Sequence, residues 1–469
     1  MTPKNFNFHS VKIMIIVSTV ILLTCSSLRH ILFQSTAYDL AIFDNGIYLI
    51  SQGKTPFVSF RGIHILGDHA AFILYAIAGL YKIYPSVYWL FGLQAIALSL
   101  GALPVWQLAK YANLTPNLAI VVAASYLLYP LIFNLNLFDF HPEVLTLPAF
   151  FWAFLFAKKN NFFAFSLALI FILSCRDALS LTITAMGVWL ILGERKIKLG
   201  VISLGIGIIW FVLATKVIIP RFSGEQVAAV ARYNFLGVSL QEIILNLFLK
   251  PQIVLSHLFT LNNLEYLLLL LCPLIWGLFP KYFSPLIGAL PILFLNLLTE
   301  NKEQKDLLHQ YSLPILPFLI LVVIAALSVG QRWLQRPKYI ILWSLVTFFA
   351  LAKVGYFSSR YLESIDTWSA TREALNQVTK EGNVLTSANI APHVAHRTKV
   401  ELAIEGSQGI NLQQFDDILL NKRHPGWNSS PELVNTLIGR IEQIPEFKLA
   451  YKKNQVYLFE RISPQSNLL

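Results

Sequence analysis

The segment YDLAIFDNGIYLISQGKTPFVSFRGIHILGDH, residues 38–69, decides how the chain is read. It carries Asp39, Asp44, His64, Asp68 and His69 directly after an apolar run. Filling a bilayer requires no carboxylates or imidazoles. Gathered beside a membrane segment, they mark a site for a charged substrate, a metal or a proton. Asp39 and Asp44 fall roughly 140° apart around a regular α-helix, so only a bent or extended chain aims both into one cleft. Such carboxylates bind a divalent cation or act as a general base; Asp39, before Leu40-Ala41-Ile42, equally suits a helix N-cap. In Gly67-Asp68-His69 the adjacent pair holds an imidazole in one tautomer or ligates a metal, while Asp68 alone would cap the following helix.

Outward from this segment the chain is lipid-like. Of 469 residues 56% are hydrophobic and 13% charged, with mean hydropathy +0.60. A soluble protein has about 25% charged residues, so the apolar excess faces lipid. The net charge of +11 does not point to nucleic acid, because the basic residues sit in short loops between apolar runs, as topology signals do. Cys25, Cys175 and Cys272 lie in or beside apolar segments with no CxxC, which supports neither a disulfide framework nor a zinc site.

The apolar runs predict about eleven spans: 11–33, 87–109, 118–137, 144–157, 162–174, 178–192, 199–219, 264–279, 284–298, 313–329 and 339–357. An uncleaved first helix starts in the cytoplasm. Residues 34–85 form a large outer loop, in which 70–84 is too short to cross and lies at the interface. In this register the inner loops hold Lys110, Lys158, Lys159, Arg195, Lys196, Lys198, Lys281, Arg332, Arg336 and Lys338 against the single acid Glu194. The positive-inside rule is obeyed, and every acidic or histidine cluster falls outside. The transmembrane domain is 1–357. The more polar stretch 358–469 reads as a small extracytoplasmic α/β domain: a helix over 365–380 with Ile365, Trp368, Leu375 and Val378 inward, strands at 383–387 and 415–420, a short helix at 391–396, a helix at 430–443 and a hairpin over 447–459.

Further clusters stand at span ends. Asp139-Phe-His141-Pro-Glu143 places three ionisable groups within five positions. Pro142 at N1 and Glu143 in a first helical turn explain themselves, but His141 does not. Arg176-Asp177 is either an internal ion pair or an arginine fork for phosphate. His309 suits a phosphate or a carboxylate, and Tyr311 an interfacial aromatic belt.

Tyr38-Asp-Leu-Ala-Ile-Phe-Asp44, Gly67-Asp-His69, Gly101-Ala-Leu-Pro104 and Phe138-Asp-Phe-His-Pro-Glu143 resemble the hallmarks of a bacterial predicted membrane protein family, domain of unknown function 2079, over residues 10–460. Arg176 departs from the family pattern, in which an acidic residue precedes the aspartate. The plan is more remotely similar to the GT-C class of membrane glycosyltransferases. That resemblance implies an all-α polytopic protein of the bacterial cytoplasmic membrane, transferring a sugar from a polyprenyl-phosphate donor to an outer acceptor. It implies Asp39 or Asp44 as catalytic base. Asp68, His69, His141, Arg176, His309 and Tyr311 would bind substrate, and Asp139 and Glu143 a divalent cation, Mg or Mn. The alternatives are a transporter or flippase for a lipid-linked or anionic substrate, and a non-catalytic membrane assembly protein.

Overall fold

The computed structural model describes residues 3–225 and 228–462. Parts of two expected features, residues 226 and 227 between the spans 199–219 and 264–279 and 463–469 of the C-terminal domain, lie outside the described residues. The chain forms two compact units. One comprises the N-terminal helix as far as Thr24, Leu66–Ile73 and Phe91–Val354; the other comprises Cys25–Ile65, Leu74–Leu90 and the chain from Gly355 onward. The segment that opens the reading is thus shared: Asp39 and Asp44 belong to the second unit, Asp68 and His69 to the first.

The first unit is helical and apolar. Among the described residues five helices are long and apolar enough to cross a membrane: Phe8–Ile31, Tyr88–Tyr111, Pro116–Leu137, Ile197–Ser223 and Gln310–Ser328. Two bent pairs raise the number to seven: Pro251–Leu258 with Leu261–Gly277, bent by 55°, and Pro337–Leu351 with Lys353–Leu362, bent by 44°. The expected spans at 144–157, 162–174, 178–192 and 284–298 appear as shorter apolar helices, among them Thr146–Lys158, Phe162–Cys175 and Leu179–Leu192. Close packing of Leu179–Leu192 on Ile197–Leu213 depends on glycine. A Cβ at Gly187 would meet the Gly200 carbonyl oxygen at 2.7 Å, the small-residue interface typical of helices in lipid. The apolar stretch near 70–84 is the eleven-residue helix Ile73–Ile83, too short to cross.

The second unit contains the C-terminal sheet. Strands β1 (Phe57–Val58) and β2 (Ile63–His64) form a short antiparallel ribbon. Strands β3 (Val384–Thr386), β4 (Val400–Leu402), β5 (Asp417–Asn421), β6 (Phe447–Lys453) and β7 (Val456–Arg461) form one sheet of order β4-β3-β5-β7-β6. Its β4, β3 and β5 are parallel, while β5-β7 and β6-β7 are antiparallel. Period-two alternation sorts β5: Ile418 and Leu420 pack with Leu437 and Ile441 of helix Pro431–Ile441, and Leu419 with Ala370 and Ala374 of helix Ile365–Leu375. Helices therefore cover both faces. Strand β4 was not expected. Two expectations are corrected: Ile365 is 51% exposed, not inward, and the short helix at 391–396 is one turn, Ala391–His393.

Candidate functional site

In the first unit the loop after helix Pro130–Leu137 is held by a buried glutamine. Gln94 Nε2 donates to the Asp139 carbonyl (2.8 Å) and Gln94 Oε1 accepts from the His141 backbone N–H (3.2 Å). This supports Asp139 at φ 74°, a conformation that a non-glycine residue seldom adopts. Pro142 then opens a one-turn helix, Pro142–Leu145, with Glu143 in its first turn, as the motif predicts.

Glu143 ends beside Arg176, which leaves helix Phe162–Cys175 in extended conformation. The two form a short ion pair with 3% and 13% of their side chains exposed. Burial pushes the Glu143 carboxyl up, but the Arg176 guanidinium, His141 and His69 hold it below the usual carboxylate range. Burial likewise opposes the Arg176 charge, and Glu143 outweighs it.

The other charged groups gather around this pair. His69 Nε2 stands 3.6 Å from Asp68 and Nδ1 stands 3.7 Å from Asp177, and the Asp177 backbone N–H donates to the His69 carbonyl (3.1 Å). Gly67 makes that placement possible, because a Cβ there would meet backbone atoms of Phe222 and Ser223 at 2.8 and 2.7 Å. His141 stacks on Phe138 (centroids 5.5 Å apart), and Phe138 meets the His309 ring edgewise at 4.1 Å. Asp306 fixes His309, accepting from its backbone N–H (3.0 Å) and lying 2.7 Å from Nδ1. Tyr311 faces two guanidinium groups: Arg176 at 5.9 Å and Arg232 at 5.0 Å from the ring centroid. Arg232 also donates to the Tyr311 hydroxyl at 3.0 Å. Arg232 is half-buried, and no described carboxylate pairs with it.

So Asp68, His69, His141, Glu143, Arg176, His309 and Tyr311 form one neighbourhood, joined by Arg232, Asp177 and Asp306. Gln94 and Arg232 carry no local motif. Asp139 meets this neighbourhood through the Gln94 bridge. Of the two residues expected to share a divalent cation, Asp139 and Glu143, the Glu143 carboxylate is engaged by Arg176, and among the described residues no three His, Cys, Asp or Glu side chains are gathered to hold a metal ion.

Asp39 and Asp44 form a separate arrangement in the second unit. A π-turn, Ala37–Ala41, precedes helix Ile42–Ser51. Asp39 accepts from the Thr36 hydroxyl (2.9 Å) and is not the N-cap, which is Thr36. Asp44 is fully buried. Its Oδ1 accepts from the Tyr81 hydroxyl at 2.6 Å and lies 3.0 Å from His396 Nε2.

A sequence profile described as "Predicted membrane protein (DUF2079)" matches residues 29–458. No curated protein matches the chain. Among solved structures, ArnT from Cupriavidus metallidurans, crystallised bound to undecaprenyl phosphate, has a similar fold: TM-score 0.55, 12% identity, 96% of this chain and 97% of that chain covered. At that identity the likeness is one of fold. The resemblance to this family read from the motifs is thereby met.

Proposed function

We propose glycosyl transfer from a polyprenyl-phosphate donor for this chain, which belongs to the DUF2079 family of predicted membrane proteins. The observation that carries the reading is Arg232. Its half-buried guanidinium rests on the Tyr311 ring and hydroxyl with no described carboxylate to neutralise it. A guanidinium so placed is a ready fork for a phosphate. Arg176, charge-balanced by Glu143, and the imidazoles of His69, His141 and His309 complete a polar surround for that anion. Departure of the lipid phosphate develops negative charge, and donors fixed in advance stabilise it. The ArnT likeness supports this class of donor, since that protein was solved with undecaprenyl phosphate.

The membrane is the bacterial cytoplasmic membrane, with the N-terminus inside and the C-terminal domain and site outside. The seven long or bent spans and four shorter helices, Thr146–Lys158, Phe162–Cys175, Leu179–Leu192 and Ser284–Leu298, make up the eleven crossings. At 1.5 Å per residue the shorter ones reach roughly 20 Å, so neighbouring loops complete their passage.

The test is binding. Full-length protein in nanodiscs should retain a polyprenyl phosphate in native mass spectrometry and release the corresponding polyprenol. Equal retention of both lipids would remove the basis for a phosphate site.

A further inference from the structure

Asp44 cannot act on a solute directly, because it is fully buried. What reaches outward from its cluster is His396, whose side chain is 31% exposed, while Tyr81 is buried. The histidine is held from four sides. Its Nε2 stands 3.0 Å from Asp44 Oδ1, which also accepts from the Tyr81 hydroxyl. Tyr48 stacks on its ring at 4.8 Å and 6°, and Tyr81 meets the ring edgewise at 5.7 Å. The backbone is clamped too: Asn45 Nδ2 donates to the carbonyls on either side, Ala395 (2.7 Å) and Arg397 (2.9 Å). Adjacent residues of one helix therefore fix the ring and the peptide frame of a histidine 352 positions away. A contact with Asp44 alone would say only that a buried carboxylate, whose Oδ2 has no hydrogen-bond partner among the described residues, draws a cation. The double clamp instead preorganises an imidazole whose Nδ1 has no hydrogen-bond partner among the described residues.

We propose that His396 is the proton acceptor of the second unit and takes a hydroxyl-bearing ligand, with Asp44, Tyr81 and Asn45 as positioning residues. The assignment rests on the transfer reading in one respect, that the hydroxyl is the sugar acceptor's. In the step, the ligand's O–H proton passes to Nδ1 as its oxygen bonds to the anomeric carbon of a glycosyl phosphate; the bond from that carbon to the phosphate oxygen breaks, and its electron pair leaves with the phosphate. Nε2–H stays donated to Asp44, which stabilises the imidazolium until it loses its proton to water. The titratable and charged groups around His396 are Asp44, Tyr48, Tyr81 and Arg397. Burial pushes its titration down, but the charge and hydrogen bond of Asp44 outweigh that and leave it above the usual histidine range.

Acylation by diethyl pyrocarbonate, followed at the His396 peptide of the full-length protein across pH, tests the arrangement. His396 should react readily, with a half-maximal pH above about 6.5; Asp44→Asn should shift that midpoint down, and His393, whose Nε2 is shut off from solvent, should lag. A His396 that is unreactive in the folded chain, or a midpoint unmoved in Asp44→Asn, overturns the proposal. In a deletion strain, His396→Gln at wild-type protein level should lower the rate of glycan formation roughly 100-fold or more. A glycan that depends on the wild-type protein yet persists in His396→Gln overturns the assignment and leaves the transfer reading standing. If no glycan depends on the wild-type protein, the transfer reading itself fails, and with it the acceptor's role as the hydroxyl.

Discussion

Arg232 donates through Nη2 to the Tyr311 hydroxyl at 3.0 Å while its guanidinium sits 5.0 Å from the centre of the same ring. The tyrosine aims the cation without neutralising it. A charge-assisted hydrogen bond is worth about 1.5–3 kcal/mol, so Arg232→Ala should weaken polyprenyl-phosphate binding by roughly one to two powers of ten. Arg232→Lys keeps the charge but loses the fork and should fall between. Titration of the lipid into nanodisc-embedded protein measures all three.

Glu143 and Arg176 should behave as a buried pair. Removing one partner strands a charge, so Arg176→Ala should lower unfolding stability by about 3–5 kcal/mol, whereas replacing both residues by methionine should cost less. Because the Glu143 carboxyl is held below the usual range, its contribution is present above about pH 4.3 and is lost as pH falls through the lower folded value. Thermal unfolding of the detergent-solubilised chain between pH 7 and 3.5 should show that acid limb in the wild type and not in Glu143→Gln.

Gly67→Ala places a methyl against the Phe222 and Ser223 backbone. Backbone yields less readily than a side chain, so the expected loss is about 1–3 kcal/mol. Asp68 and His69 should shift with it, visible as faster diethyl pyrocarbonate modification of His69.

His393 makes the second unit sensitive to acid. Burial pushes its imidazole down to about 4, against a hydrogen bond to the His30 backbone that acts the other way. The unfolded chain binds this proton near pH 6.5, so stability should fall as pH drops from about 6.5 towards 4 and level off below. His393→Phe should flatten that limb of the melting curve.

The apolar runs were legible because lipid-facing segments need no alternation; their length and flanking charges are enough. The strands around 447 and 456 were legible from alternation, those around 384 and 417 from short apolar runs that are buried throughout. Strand β4 was not, since Val400-Glu-Leu402 is three residues long and exists through parallel pairing with β3. Between Asp39 and Asp44 the π-turn Ala37–Ala41 interrupts the regular α-helical phase, a feature the local sequence does not announce. Residues flagged by charge near a span were found, but their partners were not. Gln94 reads as one polar residue in a span, Arg232 as one cation in a loop, and His396 lies 352 positions from Asp44. Such pairings are set by tertiary structure and leave no spacing to detect.

Whether this chain draws a sugar from a lipid phosphate is decided by mass spectrometry of envelope glycans and polyprenyl-phosphate sugars in a deletion strain. The strain should lose one glycan and accumulate its lipid-linked donor. Wild-type protein should reverse both changes and Arg232→Ala should reverse neither. Unchanged glycan and donor pools in the deletion strain would contradict the account and move transport of an anionic lipid ahead of transfer.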